Sequence, residues 1–431
     1  MTNDIFDNTC AALRPLWEIM PPGPTDLSQH PAYLVFKAFC SKAFKSADKG
    51  LGFAIALPAA LRAAGLPCMM RAPAVASSLH TGARAFVEAF AATTIRRRYL
   101  CPLDFADAMP ELAFGGVRLC RLTSTELSVL SDRRRLARHY PDQPFDDRLA
   151  EFNWLIVEDE MQAPASVGQR ALPFLYEDMH RNFGEIDPHA SVYPAAVTDA
   201  LFGLLLAPWE EWHQDEYDWR GFSIPWIHLT TDDIFIRPQP MPTADTLSWE
   251  EASYQEWDGE VVEYERPVCG YLDADAQATL TGFDGAWWSR IKAAQRTALF
   301  DTPVKHFLVR AALSNGMDEL MAHMTTIEAA LGLQSDFSNK GRSRAERMGA
   351  TERLKKRITA LLGDPQADID YAKLFETRSA FVHGRSLPGA ISSADRKRAR
   401  SLARRVVLAL IDAATGPTPP CSRDDYLTTL A

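Results

Sequence analysis

From Pro303 onward the apolar residues of this chain recur every three or four positions, and a glycine closes most of the segments so formed. That spacing is the period of an α-helix. It does not suit a strand, whose side chains alternate between two faces. VKHFLVRAAL (304–313) follows a proline suited to a first helical turn. MDELMAHMTTIEAALG (317–332) places Leu320, Met324, Ile327 and Leu331 on one face and stops at Gly332. TERLKKRITALLG (351–363) repeats the device with Leu354, Ile358, Leu361 and Gly363. DYAKLFETRSAFVHG (370–384) follows. SADRKRARSLARRVVLALIDAA (393–414) then turns Ala399, Leu402, Ala403, Val406, Val407 and Leu410 inward. Helices joined by connections this short predict an antiparallel bundle.

The rest of the chain has a different texture. Residues 1 to about 95 are Ala-rich with helical spacing. From about 100 the pattern becomes mixed. GGVRLCRLTSTEL (115–127) predicts a turn, a strand and a capped short helix; FNWLIVEDE (152–160), IPWIHLTTDDIFIRP (224–238) and GEVVEYERPV (259–268) predict strands, the second one as a hairpin. Pro238, Pro240, Pro242 and the acidic WEEASYQEWDGE (249–260) predict exposed loop. The fold class expected is therefore α+β, with a mainly helical region at 1–98, a mixed α/β domain at 99–290 and an all-α bundle at 291–431.

Charge is unevenly spread. The whole chain carries 46 Lys and Arg against 56 Asp and Glu, yet residues 301–431 carry 20 against 15. A basic tail on an acidic body fits a polyanionic partner for the tail, or ordinary variation of surface charge. The seven cysteines lack CxxC spacing and lie near no histidine at zinc-ligand distance, which predicts reduced thiols and no structural metal. The first residues, MTNDIFDNTC, are acidic where a secretory signal is basic. The longest apolar run (51–66) is broken by Pro58 and Arg62, so a cytoplasmic protein without membrane contact is expected.

One position disturbs the bundle pattern. On a helix turning about 100° per residue, Tyr371, Leu374, Phe375, Phe381 and Val382 all lie within about 60° of Arg378, so a guanidinium sits mid-stripe. Such a charge is costly unless it is paired or opens into a cleft. His383 lies about 140° around from it, beside Gly384, a natural stop. An arginine to bind a phosphate and a histidine to move the proton of a 2′-hydroxyl make useful chemistry together. The bland alternative is a snorkelling arginine and a histidine that caps the helix. A second Arg-x4-His, Arg134 to His139 in RRRLARHY, lies in a charged stretch and is expected on a solvated face.

The order of these segments resembles the HEPN superfamily, specifically its Apea-like type, over about the last third of the chain. VKHFLVRA stands in the place of the first helix and IEAALG resembles the end of the second long helix. LFETRSAFVHG resembles the hallmark apolar-x-x-x-Arg-polar-x-x-Val-His-Gly run. GGVRLCRLTSTEL looks like an element found upstream of such domains. The resemblance implies a metal-independent endoribonuclease whose two motifs meet across a homodimer and leave 2′,3′-cyclic phosphate and 5′-hydroxyl ends. No cofactor is implied. Phage defence or a toxin-like role fits the family's habit.

Carried onto this chain, Arg378 binds the scissile phosphate and His383 acts as general acid or base. Ser379 takes the polar place where many members carry Asn, Asp or His; Glu328, in the IEAALG helix, reads either as the carboxylate that orients Arg378 or His383 or as an exposed helix glutamate. From the residues themselves, Arg385 reads either as a further phosphate contact or as a solvated loop residue, and the basic loop SNKGRSRAER, with Lys340, Arg342 and Arg344, either as a track for an RNA backbone or as a mobile connector. Some members have lost catalysis and serve only to dimerise or bind RNA, which is the alternative reading here. The amino-terminal body would hold an unidentified protein or ligand.

Two further features bear on function. Trp209, Trp212, Trp219 and Trp226 read either as a stacking platform or as a peripheral core cluster. Glu210, Glu211, Asp215 and Glu216 lack ordered ligand spacing, so no metal site is expected there. No Gly-rich phosphate loop, Ser-His-Asp order or HExxH motif is present.

Overall fold

The computed structural model describes every residue except 1–2, 48–49, 107–108, 176–181, 183, 188–189, 213–220, 271, 338–347 and 386–388. Among the described residues the chain is mixed α/β, with sixteen α-helices, small antiparallel sheets and a helical C-terminal region. The strands are β1 (Thr94–Leu103), β2 (Leu112–Phe114), β3 (Val117–Arg121), β4 (Asn153–Gln162), β5 (His228–Thr231), β6 (Trp249–Gln255) and β7 (Val261–Pro267). The chain folds as two units that interleave along the sequence. The first comprises 1–102, 121–185 and 224–266, and the second 103–120, 186–223 and 267–431.

The first unit begins with α1 (Asn3–Trp17), α2 (Pro31–Ala43), α3 (Leu51–Ala64) and α4 (Leu79–Ala91), as the Ala-rich helical spacing predicts. Two of the starts, and one end, have a local cause. His30 Nδ1 accepts from the Ala32 N–H at 3.2 Å, ahead of α2, whose first residue is Pro31. Ser78 Oγ accepts from Thr81 N–H at 3.2 Å ahead of α4. Gly65, at φ +84°, ends α3. Leu13, Leu16, Phe36, Phe53, Leu57 and Phe86 are fully buried between these helices, and the rings of Phe44 and Phe90 stack at 4.1 Å.

β1 lies between β4 and β5, and it pairs antiparallel with β5 so that Tyr99 faces Leu229 and Leu100 faces His228. The run VRLCRLTSTEL behaves as read: β3 leads to Thr123, which forms a reciprocal capping box with Glu126 at the head of α5 (Ser124–Leu130). Two expectations are corrected. The hairpin expected over 224–238 stops at Thr231. There the Asp233 carboxylate accepts from the Phe235 N–H at 2.9 Å, and Arg135 gathers the carbonyls of Thr231, Asp233 and Ile236, so the backbone turns. The acidic stretch expected as loop supplies β6. Tyr254 meets Tyr264 of β7 across the hairpin at 5.8 Å, and Gly259 at φ +92° closes the turn.

The RRRLARHY segment is also corrected. Arg135 is buried in α6 (Arg133–His139), and Arg138 donates to Val75 O, Ala63 O and Ser77 Oγ. These cations face inward because carbonyls left unpaired by turns need donors. A short α7 (Val167–Ala171) completes the helices of this unit.

In the second unit β2 and β3 form a hairpin in which Phe114 faces Val117. Gly115 turns it at φ +57°; a Cβ there would lie 2.5 Å from Trp288 Nε1, so only glycine suits the place. The helices are α8 (Ala195–Leu204), α9 (Ala274–Thr281), α10 (Gly285–Ala294), α11 (Val304–Leu313), α12 (Gly316–Leu331), α13 (Ala350–Leu362), α14 (Gln366–Val382), α15 (Ser393–Thr415) and α16 (Arg423–Thr429). Asp273 and Asp284 cap α9 and α10 through bonds of 2.8 and 2.9 Å. α12 packs on α11 and α15, and α14 on α13 and α15. The faces read from the sequence are the buried ones: Leu320, Met324, Ile327 and Leu331 on α12, and Ala399 through Leu410 on α15.

This core also contains charge. Glu319 is 1% exposed and pairs with Arg396 and Arg400, while Arg404 pairs with Glu210 and Glu211. Glu210 and Glu211 are thereby accounted for by a cation, and no cluster suited to a metal occurs among the described residues.

Candidate functional site

α14 carries the residues of interest along its second half. Its first half packs: Ala367, Tyr371 and Leu374 are buried. Beyond Arg378 the helix emerges, and Phe381 and Val382 are 48% and 57% exposed. The apolar stripe read from the sequence is thus buried at one end and bare at the other.

The helix ends in a complete Schellman arrangement. Gly384, at φ +65°, donates to Phe381 O at 3.1 Å, and Arg385 N–H donates to Ala380 O at 2.8 Å. His383 is the last residue before this turn, and its N–H reaches Ser379 O at 3.1 Å. The capping is therefore done by backbone and glycine. The His383 imidazole is exposed and has no side-chain partner among the described residues.

Arg378 is held from the neighbouring helix. Its Nη1 donates to Glu328 Oε1, with the two side chains 25% and 30% exposed. The Tyr371 hydroxyl, two turns back on the same α14 face, bonds the same carboxylate. The Arg378 guanidinium also lies 6.0 Å from the Phe375 ring centroid. Burial pushes the Glu328 carboxyl above its ordinary range, against the downward pull of Arg378 and Tyr371. Burial, and then the Glu328 charge, pushes the Tyr371 phenol up as well, which keeps it a donor at all ordinary pH. With one nitrogen on Glu328, Arg378 keeps Nε without an acceptor among the described residues.

The candidates divide as follows. Arg378 and Glu328 are brought together, with Tyr371 as a third member that sequence reasoning did not single out. Its signal was there: a tyrosine seven residues before the arginine, on the same stripe. Ser379 is half-buried and contributes its carbonyl to the helix end. Arg385 is exposed, and among the described residues only its backbone is engaged. Lys340, Arg342 and Arg344 lie outside the described residues.

Trp209 and Trp212 meet at 5.1 Å in the second unit, where Trp209 is buried and donates to Leu204 O. Trp226 packs on Trp154 at 5.9 Å in the first; Trp219 lies outside the described residues. No family model, curated protein or solved structure matches this chain.

Proposed function

We propose that the C-terminal helices form a HEPN-type bundle and that the protein is a metal-independent endoribonuclease acting through Arg378 and His383. The observation that carries this reading is the contrast between the two side chains. The arginine is oriented by Glu328 and Tyr371, whereas the histidine stands exposed and unpartnered at the helix end. A binding group benefits from a fixed direction, and a proton carrier needs access to the reacting oxygens.

In this mechanism the ribose 2′-oxygen attacks the adjacent phosphorus and the P–O5′ bond breaks. The 2′-hydroxyl proton leaves to a base and the departing 5′-oxygen gains one. The products are a 2′,3′-cyclic phosphate and a 5′-hydroxyl. Arg378 stabilises charge building on the non-bridging oxygens, and His383 carries one of the two protons. Two such motifs around a twofold axis supply both proton positions. The bare Phe381 and Val382 next to His383 are suited to cover each other in such a homodimer.

A second reading has its own support. The Arg378–Glu328 pair largely neutralises the guanidinium within one chain, as a bundle that only dimerises or binds RNA would allow. Incubating RNA in EDTA with wild type and with His383→Ala separates the two readings. Cleavage by wild type alone, leaving cyclic phosphate ends, is expected of the enzyme. RNA binding without cleavage by either protein belongs to the module.

A further inference from the structure

The first unit holds a set of arginines that bond to backbone carbonyls rather than to carboxylates. Arg62 donates to Met69 O and Arg138 O, Arg134 to Ala76 O, Arg138 to Val75 O and Ala63 O, and Arg135 to three carbonyls near β5. Carbonyl dipoles satisfy donors without cancelling a full charge. Among the described residues none of Arg62, Arg134, Arg135, Arg138 and Arg237 has a carboxylate oxygen within 4.0 Å. The acids nearby are otherwise engaged. Asp233 faces Arg170 at 3.6 Å, Asp232 accepts from Arg96 N–H at 3.0 Å, and Asp132 caps α6 through Arg135 N–H at 3.2 Å.

The surplus positive potential registers at His139. Burial, followed by Arg135, Arg62, Arg237 and Arg138, pushes its imidazole down to about 3. Its Nε2 has no partner among the described residues.

A cavity of about 90 Å³ opens beside this group, between Ser131, Arg135, Thr230, Thr231, Ile236 and Arg237. Such a volume holds about three waters at ~30 Å³ each, or a single tetrahedral oxyanion. Arg135 is 6% exposed, and its Nε has no acceptor among the described residues. Arg237 stands exposed at the rim with its guanidinium 5.4 Å from the Tyr140 ring centroid. Asp132 also borders the cavity and, with Asp233 and Asp232, acts on Arg135, but these three acids, of which Asp233 also faces Arg170, are outnumbered by the guanidiniums of Arg62, Arg134, Arg135, Arg138 and Arg237.

We propose that this cavity binds one phosphoryl group, from free phosphate or from a nucleoside 5′-monophosphate, with Arg135 Nε and Arg237 as its charged donors. Dianionic phosphate supplies the missing acceptor and the missing charge together. The site is independent of the chemistry at α14.

Calorimetric titration of the full chain, with inorganic phosphate and with AMP in chloride buffers of matched ionic strength, tests it. Saturable binding is expected for wild type, weakened by about tenfold or more in Arg237→Ala and partly restored in Arg237→Lys. Arg237 is exposed, so the variants are expected to fold, and unchanged thermal unfolding without ligand checks this. Equal affinity for the two compounds identifies the phosphoryl group alone as the ligand, and tighter AMP binding adds the nucleoside. Absence of saturable binding for both compounds, or equal binding by wild type and Arg237→Ala, overturns the proposal.

Discussion

Arg378 of α14 donates to the carboxylate of Glu328 on α12, fifty positions earlier in the chain. The pair is only partly open to water, and the Tyr371 hydroxyl bonds the same carboxylate. Removing one member leaves the other charged and poorly solvated. Glu328→Ala is expected to destabilise by about 1–3 kcal/mol, below the 3–5 kcal/mol of a fully buried pair because both side chains keep some solvent. Arg378→Met combined with Glu328→Ala is expected to cost less than the sum of the singles. Urea denaturation of the four proteins gives the coupling directly, and strict additivity would show the contact to be energetically empty.

His383 invites the opposite expectation. Its side chain touches nothing that holds the bundle together, and Gly384 with the backbone makes the helix end. His383→Ala should therefore unfold within about 0.5 kcal/mol of wild type. RNA cleavage should fall by about 10²- to 10⁴-fold, the usual contribution of a positioned acid or base. A variant that cleaves at the wild-type rate removes His383 from the reaction.

Much of the bundle could be read from periodicity, because a helix face repeats in the sequence that forms it. Leu320, Met324, Ile327 and Leu331 are buried as their spacing requires. Arg378 could be read as misplaced for the same reason. What could not be read depends on contacts far apart in sequence. SADRKRARSLARR looks like a solvated basic face, yet Arg396 and Arg400 reach Glu319 and Arg404 reaches Glu210. RRRLARHY looks equally exposed, yet Arg135 and Arg138 fill carbonyl-lined gaps in the first unit. Local composition reports the charge of a segment, and burial depends on the partner that arrives. Likewise, nothing in the local pattern signals that 103–120 and 186–223 join the C-terminal helices in one unit.

The junction of α13 and the turn after α12 rests on a buried ion pair. Arg357 is 2% exposed and Asp336 5%. Arg357 donates to Asp336, to Leu331 O at 2.9 Å and to Leu427 O at 3.0 Å, and Asp336 also accepts from the Leu333 N–H at 2.9 Å. Asp336→Ala strands the guanidinium and orphans that N–H, for an expected loss of about 3–5 kcal/mol. Chemical denaturation measures it. Asp336→Asn keeps the acceptor for Leu333 and should recover part of the loss.

Acid sensitivity should come in part from the first unit. His228 is 2% exposed on β5, and burial, opposed by the Ser131 backbone, pushes its imidazole down to about 4. An unfolded histidine titrates near 6.5. Between those values the unfolded chain takes a proton that the folded chain refuses. The stabilisation from a neutral His228 is therefore complete above about pH 6.5 and is lost progressively as the pH falls toward 4. A shift of that size corresponds to about 3 kcal/mol across the window. His139, pushed down to about 3 by burial and its arginine neighbours, acts in the same direction. His228→Leu is expected to remove its share of the slope, so the stability difference between pH 7 and pH 4.5 should shrink by about 2–3 kcal/mol. Urea midpoints at the two pH values provide the measurement, and an unchanged difference would mean that His228 titrates alike in the folded and unfolded protein.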